Sequence, residues 1–199
     1  MLTDDRKEAL QEIANIGMGQ AGASIAQVLG EFVQLSIPRI LIVPPAEVPT
    51  TLARTVEEST VSAVRQAFYS DMRGEALVIF GQHRCNDLAD LIGYEADLDH
   101  AAEVELLLDL SNILVGACLG GIAEQLNLAI GFSAPSLMAD AIPLSRLLQD
   151  NPVPWTAALL VEVDFSLEKR SFACNLVILM PEAEIERLMR AVDLFLESL

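Results

Sequence analysis

Apolar positions recur at helical spacing in two long stretches of this chain, with shorter alternating runs between and after them. In residues 8–30, Leu10, Ile13, Gly17, Ala21, Ser24 and Val28 share one side, apolar or small. Glu8, Glu12, Asn15 and Gly19 sit at i, i+4, i+7 and i+11 and form a polar stripe on another face. Thr3 or Asp4 is placed to cap this helix, acidic residues in its first turn suit the helix dipole, and Gly30 is placed to end it. Residues 101–126 form the second long helix. It is apolar on most sides between Asp109 and Glu124, which predicts deeper burial than its counterpart.

The shorter runs fill in two similar halves. Residues 33–37 alternate as a strand, Pro38 breaks it, residues 40–43 continue extended, and Pro44-Pro45 stops them. Residues 46–54 predict a short helix or a loop. Residues 60–69 and 75–80 predict strands joined by a hairpin turn at 71–74. A short amphipathic helix over 86–92 ends at Gly93, and residues 94–100 link the halves. After the second long helix come a strand at 128–132, ending before Pro135, and a short helix within 138–149. Strands at 155–165 and 171–179 turn around Glu168, Lys169 and Arg170, and an amphipathic helix spans 182–196.

The two halves also match residue by residue. At a spacing of 97, Glu8 meets Glu105, Asn15 meets Asn112, Ile16 meets Ile113 and Gly19 meets Gly116. Ile25 meets Ile122, Ala26 meets Ala123, Leu29 meets Leu126 and Pro38 meets Pro135; Glu12 meets Asp109, keeping the charge on a shorter arm. Eight identities without a gap read as an internal duplication. The expected fold is therefore α+β, mixed α/β. One domain over 1–199 holds two repeats, about 1–96 and 97–199, each α-β-(α)-β-β-α. Their strands share one sheet, with the two long helices on one face and a pseudo-twofold axis between them. No low-complexity segment or flexible linker interrupts it.

Composition narrows the partners. The chain has 199 residues, is 52% hydrophobic and carries a formal net charge of −17, enough for a sizeable core and against nucleic acid or an anionic membrane as main partner. The acidity serves solubility and equally suits steering toward a basic partner. Cys85, Cys118 and Cys174 form no C-x-x-C pair and sit in apolar contexts, as buried free thiols do in a reducing compartment. His83 and His100 are the only histidines, and His83-x-Cys85 lacks further ligands nearby, which argues against a zinc site. The N-terminal residues MLTDDRKE contain no apolar signal segment, and the longest uncharged run, 110–123, is too short to span a bilayer. A cytoplasmic protein without membrane insertion is expected.

Two motifs compete for the chemistry. Gly17, Gly19 and Gly22 match G-x-G-x-x-G, but the residues before them are helix-periodic rather than a strand. Ile42 stands where a ribose-binding acid is expected, and the counterpart at 114–119 keeps only Gly116. The glycines instead suggest close approach of another backbone, since each costs about 1 kcal/mol relative to Ala inside a helix. The sharper signal is an acid three residues before an amide, Glu12 with Asn15 and Asp109 with Asn112. Asn is a poor helix-interior residue because its amide competes for backbone hydrogen bonds. A structural Asn bridging to a neighbouring helix is one account. The other is functional: an amide can hold one water in a fixed orientation, and a carboxylate beside it can pair with a cation on a partner. That pairing suits a helper that inserts an amide into another protein's phosphoryl site. No phosphate loop and no Ser-His-Asp set supports a self-contained nucleotide hydrolase or esterase.

The run Glu12-Ile-Ala-Asn15-Ile-Gly-Met-Gly19, with Pro38 twenty-three residues after the Asn, and the second run Asp109-Leu-Ser-Asn112-Ile-Leu-Val-Gly116 with Pro135, resemble the CheC/CheX/FliY family of chemotaxis phosphatases. Two motifs in one chain resemble CheC more than CheX, which carries one. The resemblance spans essentially the whole chain and implies hydrolysis of the aspartyl phosphate of a CheY-type response regulator. By that analogy Asn15 and Asn112 orient the attacking water, and Glu12 and Asp109 contact the regulator's active-site lysine. The Mg²⁺ belongs to the regulator, so no cofactor of the chain's own is expected. Asp109 departs from the usual Glu; one methylene less, roughly 1.5 Å, leaves its lysine contact to a bridging water and makes the second site the weaker expectation. Some members also bind the receptor deamidase CheD, about which no residue here speaks. The rival reading is a non-catalytic binding or assembly module of a chemotaxis or flagellar-switch complex, in which the acid and amide are contact residues or remnants.

Overall fold

The computed structural model describes residues 3–30, 32–56, 59–81, 99–147, 158–167 and 173–197. The first long helix is α1 (Asp4–Leu29). Thr3 caps it with its side-chain oxygen accepting from the Arg6 N–H, and Gly30 closes it in the left-handed region at φ 68°. After it come β1 (Val33–Leu35), β2 (Arg39–Val43), a single 3₁₀ turn at Pro45–Glu47 and α2 (Val48–Thr55). The strands β3 (Thr60–Ser70) and β4 (Gly74–Gly81) form a hairpin. The second long helix, α3 (His100–Gln125), starts at an Asp99 cap, and Asn127 takes the left-handed conformation (φ 53°) behind it. Then follow β5 (Ile130–Phe132), β6 (Ser136–Pro143), α4 (Leu144–Leu147), β7 (Ala158–Leu167), β8 (Ala173–Leu179) and α5 (Glu182–Glu197).

All the strands join one antiparallel sheet ordered β1-β7-β8-β4-β3-β5, with β2 also on β7 and β6 also on β3. The pairings recur at the spacing of 97 residues seen in the sequence. Val33 opposite Leu167 has its counterpart in Ser70 opposite Ile130, and Arg39 opposite Glu162 in Arg65 opposite Ser136. Across the central pair, Val78 opposite Leu176 maps onto Ile79 opposite Asn175. Gly30 and Asn127, which end the long helices, are 97 apart as well.

Alternation along the central strands splits the core in two. Ala76, Val78 and Phe80 of β4, with Leu176 and Ile178 of β8, pack with α1, α3 and α5. Leu77, Ile79, Val177 and Leu179 point the other way and meet Val48 of α2 and Leu147 of α4. Both faces being covered explains why β4 is apolar almost throughout rather than every second residue. The two long helices lie on one face, and they cross with almost no side chain between them. A Cβ on Gly17 would meet the Gly121 backbone carbon at 2.7 Å, and one on Gly121 would meet the Gly17 oxygen at 2.6 Å.

Three expectations are sharpened by the structure. The short helix expected within 138–149 is present at Leu144–Leu147, and the residues before it, 136–143, form β6, a strand that the sequence pattern does not predict. The exposed edge of β3 recruits this segment, and an irregularity between Val61 and Ala63 accommodates Ala141 at φ 49°, whose N–H donates to Ser62 Oγ. Second, the uncharged run 110–123 understates the helix that contains it. By length and composition α3 could cross a membrane, yet most of it is buried within the fold. It is the central core helix, packed on α1 and the sheet. Third, 46–54 resolves into the 3₁₀ turn and α2. The short helix expected at 86–92, most of the link that follows it, Cys85 and the turn at 168–170 lie outside the described residues.

Candidate functional site

On α1 the buried arc is Ala9, Leu10, Ile13, Ala14, Gly17 and Met18, which leaves Glu8, Glu12, Asn15 and Gly19 on the exposed side. On α3 the buried set includes Leu106, Leu107, Leu110, Ser111, Leu114 and Val115, and Glu105, Asp109 and Asn112 are exposed. Each acid and its amide therefore share an exposed helical face, one pair on each long helix. The glycine of each motif opens outward too: a Cβ on Gly19 or Gly116 would have nothing within 4 Å. Of the three glycines in the 17–22 pattern, only Gly17 meets another backbone; Gly22 faces the Leu35 side chain.

The two amides differ in how they are held. Among the described residues, no hydrogen bond reaches the Asn15 side chain. Asn112 Oδ1 accepts from Gln66 Nε2 at 2.8 Å, and the same nitrogen donates to the Ser133 carbonyl at 2.8 Å. Gln66 lies on the β3 face that looks toward α3 and is only 1% exposed. Ser133 is fixed in turn. Its N–H donates to the Ala67 carbonyl at 2.9 Å, and its Oγ accepts from the Ala67 N–H at 3.0 Å. Sequence reasoning missed Gln66 and Ser133. A signal for the serine was present, since Ser36-x-Pro38 recurs as Ser133-x-Pro135. For Gln66 the hint was an amide between Val64 and Phe68 on one face of the strand, with Val163 at the matching position of β7.

Other chemistry is sparse. Cys118 and Cys174 are buried thiols outside any disulfide, and burial pushes the Cys118 thiol well above the usual thiol range, so it stays protonated and inert. Among the described residues, no group of three or more His, Cys, Asp or Glu is placed to share a metal ion. Ser62 Oγ donates to Asp140 Oδ1 at 3.1 Å, and His100 Nε2 lies 3.4 Å from Asp140 Oδ2. The carboxylate thus stands between serine and histidine. The imidazole does not meet the hydroxyl whose proton it would have to take, so this is no nucleophile relay.

No family model matches the chain. Its fold matches solved structures. FliY from Thermotoga maritima superposes over 97% of this chain and 98% of its own, with a TM-score of 0.71 at 17% sequence identity. CheX from Desulfovibrio desulfuricans covers 84% of this chain and 99% of its own, with a TM-score of 0.54 and 12% identity. A chain of the FliG–FliM complex from H. pylori covers 95% of this chain and 100% of its own, with a TM-score of 0.60 and 12% identity. At such identities the fold is what is shared, and it is the fold that the sequence resemblance implied.

Proposed function

We propose that this chain is a phosphatase for the aspartyl phosphate of a CheY-type response regulator, working in the cytoplasm. The observation that carries the reading is the presentation of two matching acid–amide pairs, Glu12 with Asn15 and Asp109 with Asn112, on exposed helical faces of a fold shared with FliY and CheX. A purely structural asparagine would be buried and fully bonded, and neither of these is buried. In each site the Asn amide enters the regulator's active site and orients the attacking water in line with the leaving carboxylate oxygen. The acid pairs with the regulator's lysine and fixes the approach. Mg²⁺ comes with the regulator. The outward-facing Gly19 and Gly116 fit this picture, because the helix forgoes about 1 kcal/mol at each, and the space beyond them is free for a partner's surface. The repeated registers support descent of the two halves from one unit, about 1–96 and 97–199.

The test is dephosphorylation of the phosphorylated regulator with this protein at a few per cent of its concentration. Asn15→Ala combined with Asn112→Ala should return the decay to the regulator's own rate while the melting temperature is kept. Wild-type protein that leaves the decay unchanged would sink the proposal.

The second reading, a non-catalytic assembly module, draws on the likeness to a chain of the FliG–FliM complex. It predicts an effect only at stoichiometric amounts. CheD-type deamidase binding is a further candidate interaction, tested by co-purification of the two proteins.

A further inference from the structure

Among the described residues the Gln66–Asn112 contact has no counterpart in the other half, and its chemistry fixes more than a distance. The Ser133 carbonyl can only accept, so the group that faces it from Gln66 must be the nitrogen. The second N–H of that nitrogen then requires an acceptor, and the atom there is Asn112 Oδ1. Asn112 is thereby locked with its oxygen toward the sheet and its Nδ2 toward solvent. One Oδ1 lone pair and two N–H groups remain for a water and a phosphoryl oxygen. The lock is built from the main chain outward, because Ser133 is itself pinned to Ala67 by bonds in both directions.

Burial of Gln66 is not by itself a gain for folding: it is 1% exposed, and among the described residues its Oε1 has no hydrogen-bond partner, an arrangement that disfavours folding relative to an apolar side chain of the same shape. The matching position of the other half, 97 residues on, is Val163, so the sequence does not repeat the amide at that register. A buried amide with both N–H groups committed, one of them on an exposed Asn, fits a role in holding that Asn.

We propose that Gln66 is a positioning residue for Asn112, and that this makes the second pair, Asp109 with Asn112, the pre-organised site of the two. The proposal rests on the phosphatase reading for its catalytic consequence and reverses the ranking suggested by the shorter Asp109. Asn15 must be ordered by the partner at the moment of docking, and Asn112 is ordered beforehand.

The full chain is tested in two backgrounds. Asn15→Ala isolates the second site, and the rate it retains is the reference for the variants that follow. Adding Gln66→Met, which keeps the length and removes the donors, should lower kcat about tenfold while KM for the phosphorylated regulator stays the same. Gln66→Val, which copies the other half, should do the same and guards against a packing fault peculiar to Met. In the Asn112→Ala background neither substitution has an Asn to release, and the rate should stay at that background's value. Loss of all activity in Asn15→Ala alone, an unchanged kcat on adding Gln66→Met, or equal losses in both backgrounds would overturn the proposal. A readout independent of catalysis separates it from the function itself. The Asn112 side-chain amide should give two sharp NMR signals with a high order parameter, and Gln66→Met should make it as mobile as Asn15. If no variant or wild type speeds dephosphorylation, the phosphatase reading fails, and this NMR comparison still decides the positioning: an Asn112 as mobile as Asn15 in the wild-type protein rejects it.

Discussion

A carboxylate and an amide three residues apart on a helix are ordinary by themselves. What gives Glu12 with Asn15 and Asp109 with Asn112 meaning is that all four face solvent while the residues between acid and amide, Ile13 with Ala14 and Leu110 with Ser111, face the core. The 3.6-residue period decides that, so the candidate site was legible before any coordinates. The support beneath it was not, because Gln66 lies 46 residues from Asn112 and nothing in local spacing links a strand residue to a helix residue. At this scale the acids should act through charge. Glu12→Gln together with Asp109→Asn is expected to raise KM for the phosphorylated regulator about three- to tenfold, with a smaller effect on kcat. The wild-type advantage should shrink between about 50 and 500 mM salt as screening removes the attraction. Steady-state kinetics across that salt range check both.

Among the elements, the crossing of α1 and α3 is tightly constrained. Gly17 and Gly121 let the two backbones touch, and a methyl on either would have to displace main chain. Gly17→Ala or Gly121→Ala should destabilise by about 1–3 kcal/mol even though Ala is the better helix former. Gly19→Ala meets nothing and should stabilise by up to about 1 kcal/mol. Thermal unfolding separates them, at roughly 2–4 °C per kcal/mol for a chain of this length. The glycine pattern in the sequence pointed to close approach without saying which glycine makes it. The same scale holds the clearest omission. The sequence pattern predicts the short helix within 138–149 but no strand at 136–143, because the open edge of β3 offers a ladder of hydrogen bonds that local propensity does not register.

Taken whole, the molecule is a covered sheet whose ends are tied by one bidentate ion pair. Arg6 on the first turn of α1 donates from Nε to Asp193 Oδ1 at 2.8 Å and from Nη2 to Oδ2 at 2.7 Å, joining the first helix to the last. The hydrogen bonds from Arg6 hold the Asp193 carboxyl below the usual carboxylate range, with the attraction of the guanidinium adding to them against desolvation. A depressed carboxylate contributes stability above its unfolded pKa, about 3.9, and loses it as pH falls through its folded value. Wild type should therefore melt above Asp193→Asn at neutral pH, and the two curves should converge under strongly acid conditions. Melting temperatures recorded from pH 7 to pH 2 would show this, and a gap that persists at the acid end would contradict it. The sequence by itself determined the two long helices, most of the strands, and the polar stripe with its acid and amide. Periodicity and a 97-residue recurrence are properties of the chain that survive without knowing what it packs against. Only the tertiary structure decided which glycines meet, that residues 136–143 become strand, and that Asn112 is held by Gln66 while no described residue holds Asn15. Those outcomes depend on which distant surfaces the fold brings within hydrogen-bonding or van der Waals reach, and no window along the chain contains both partners.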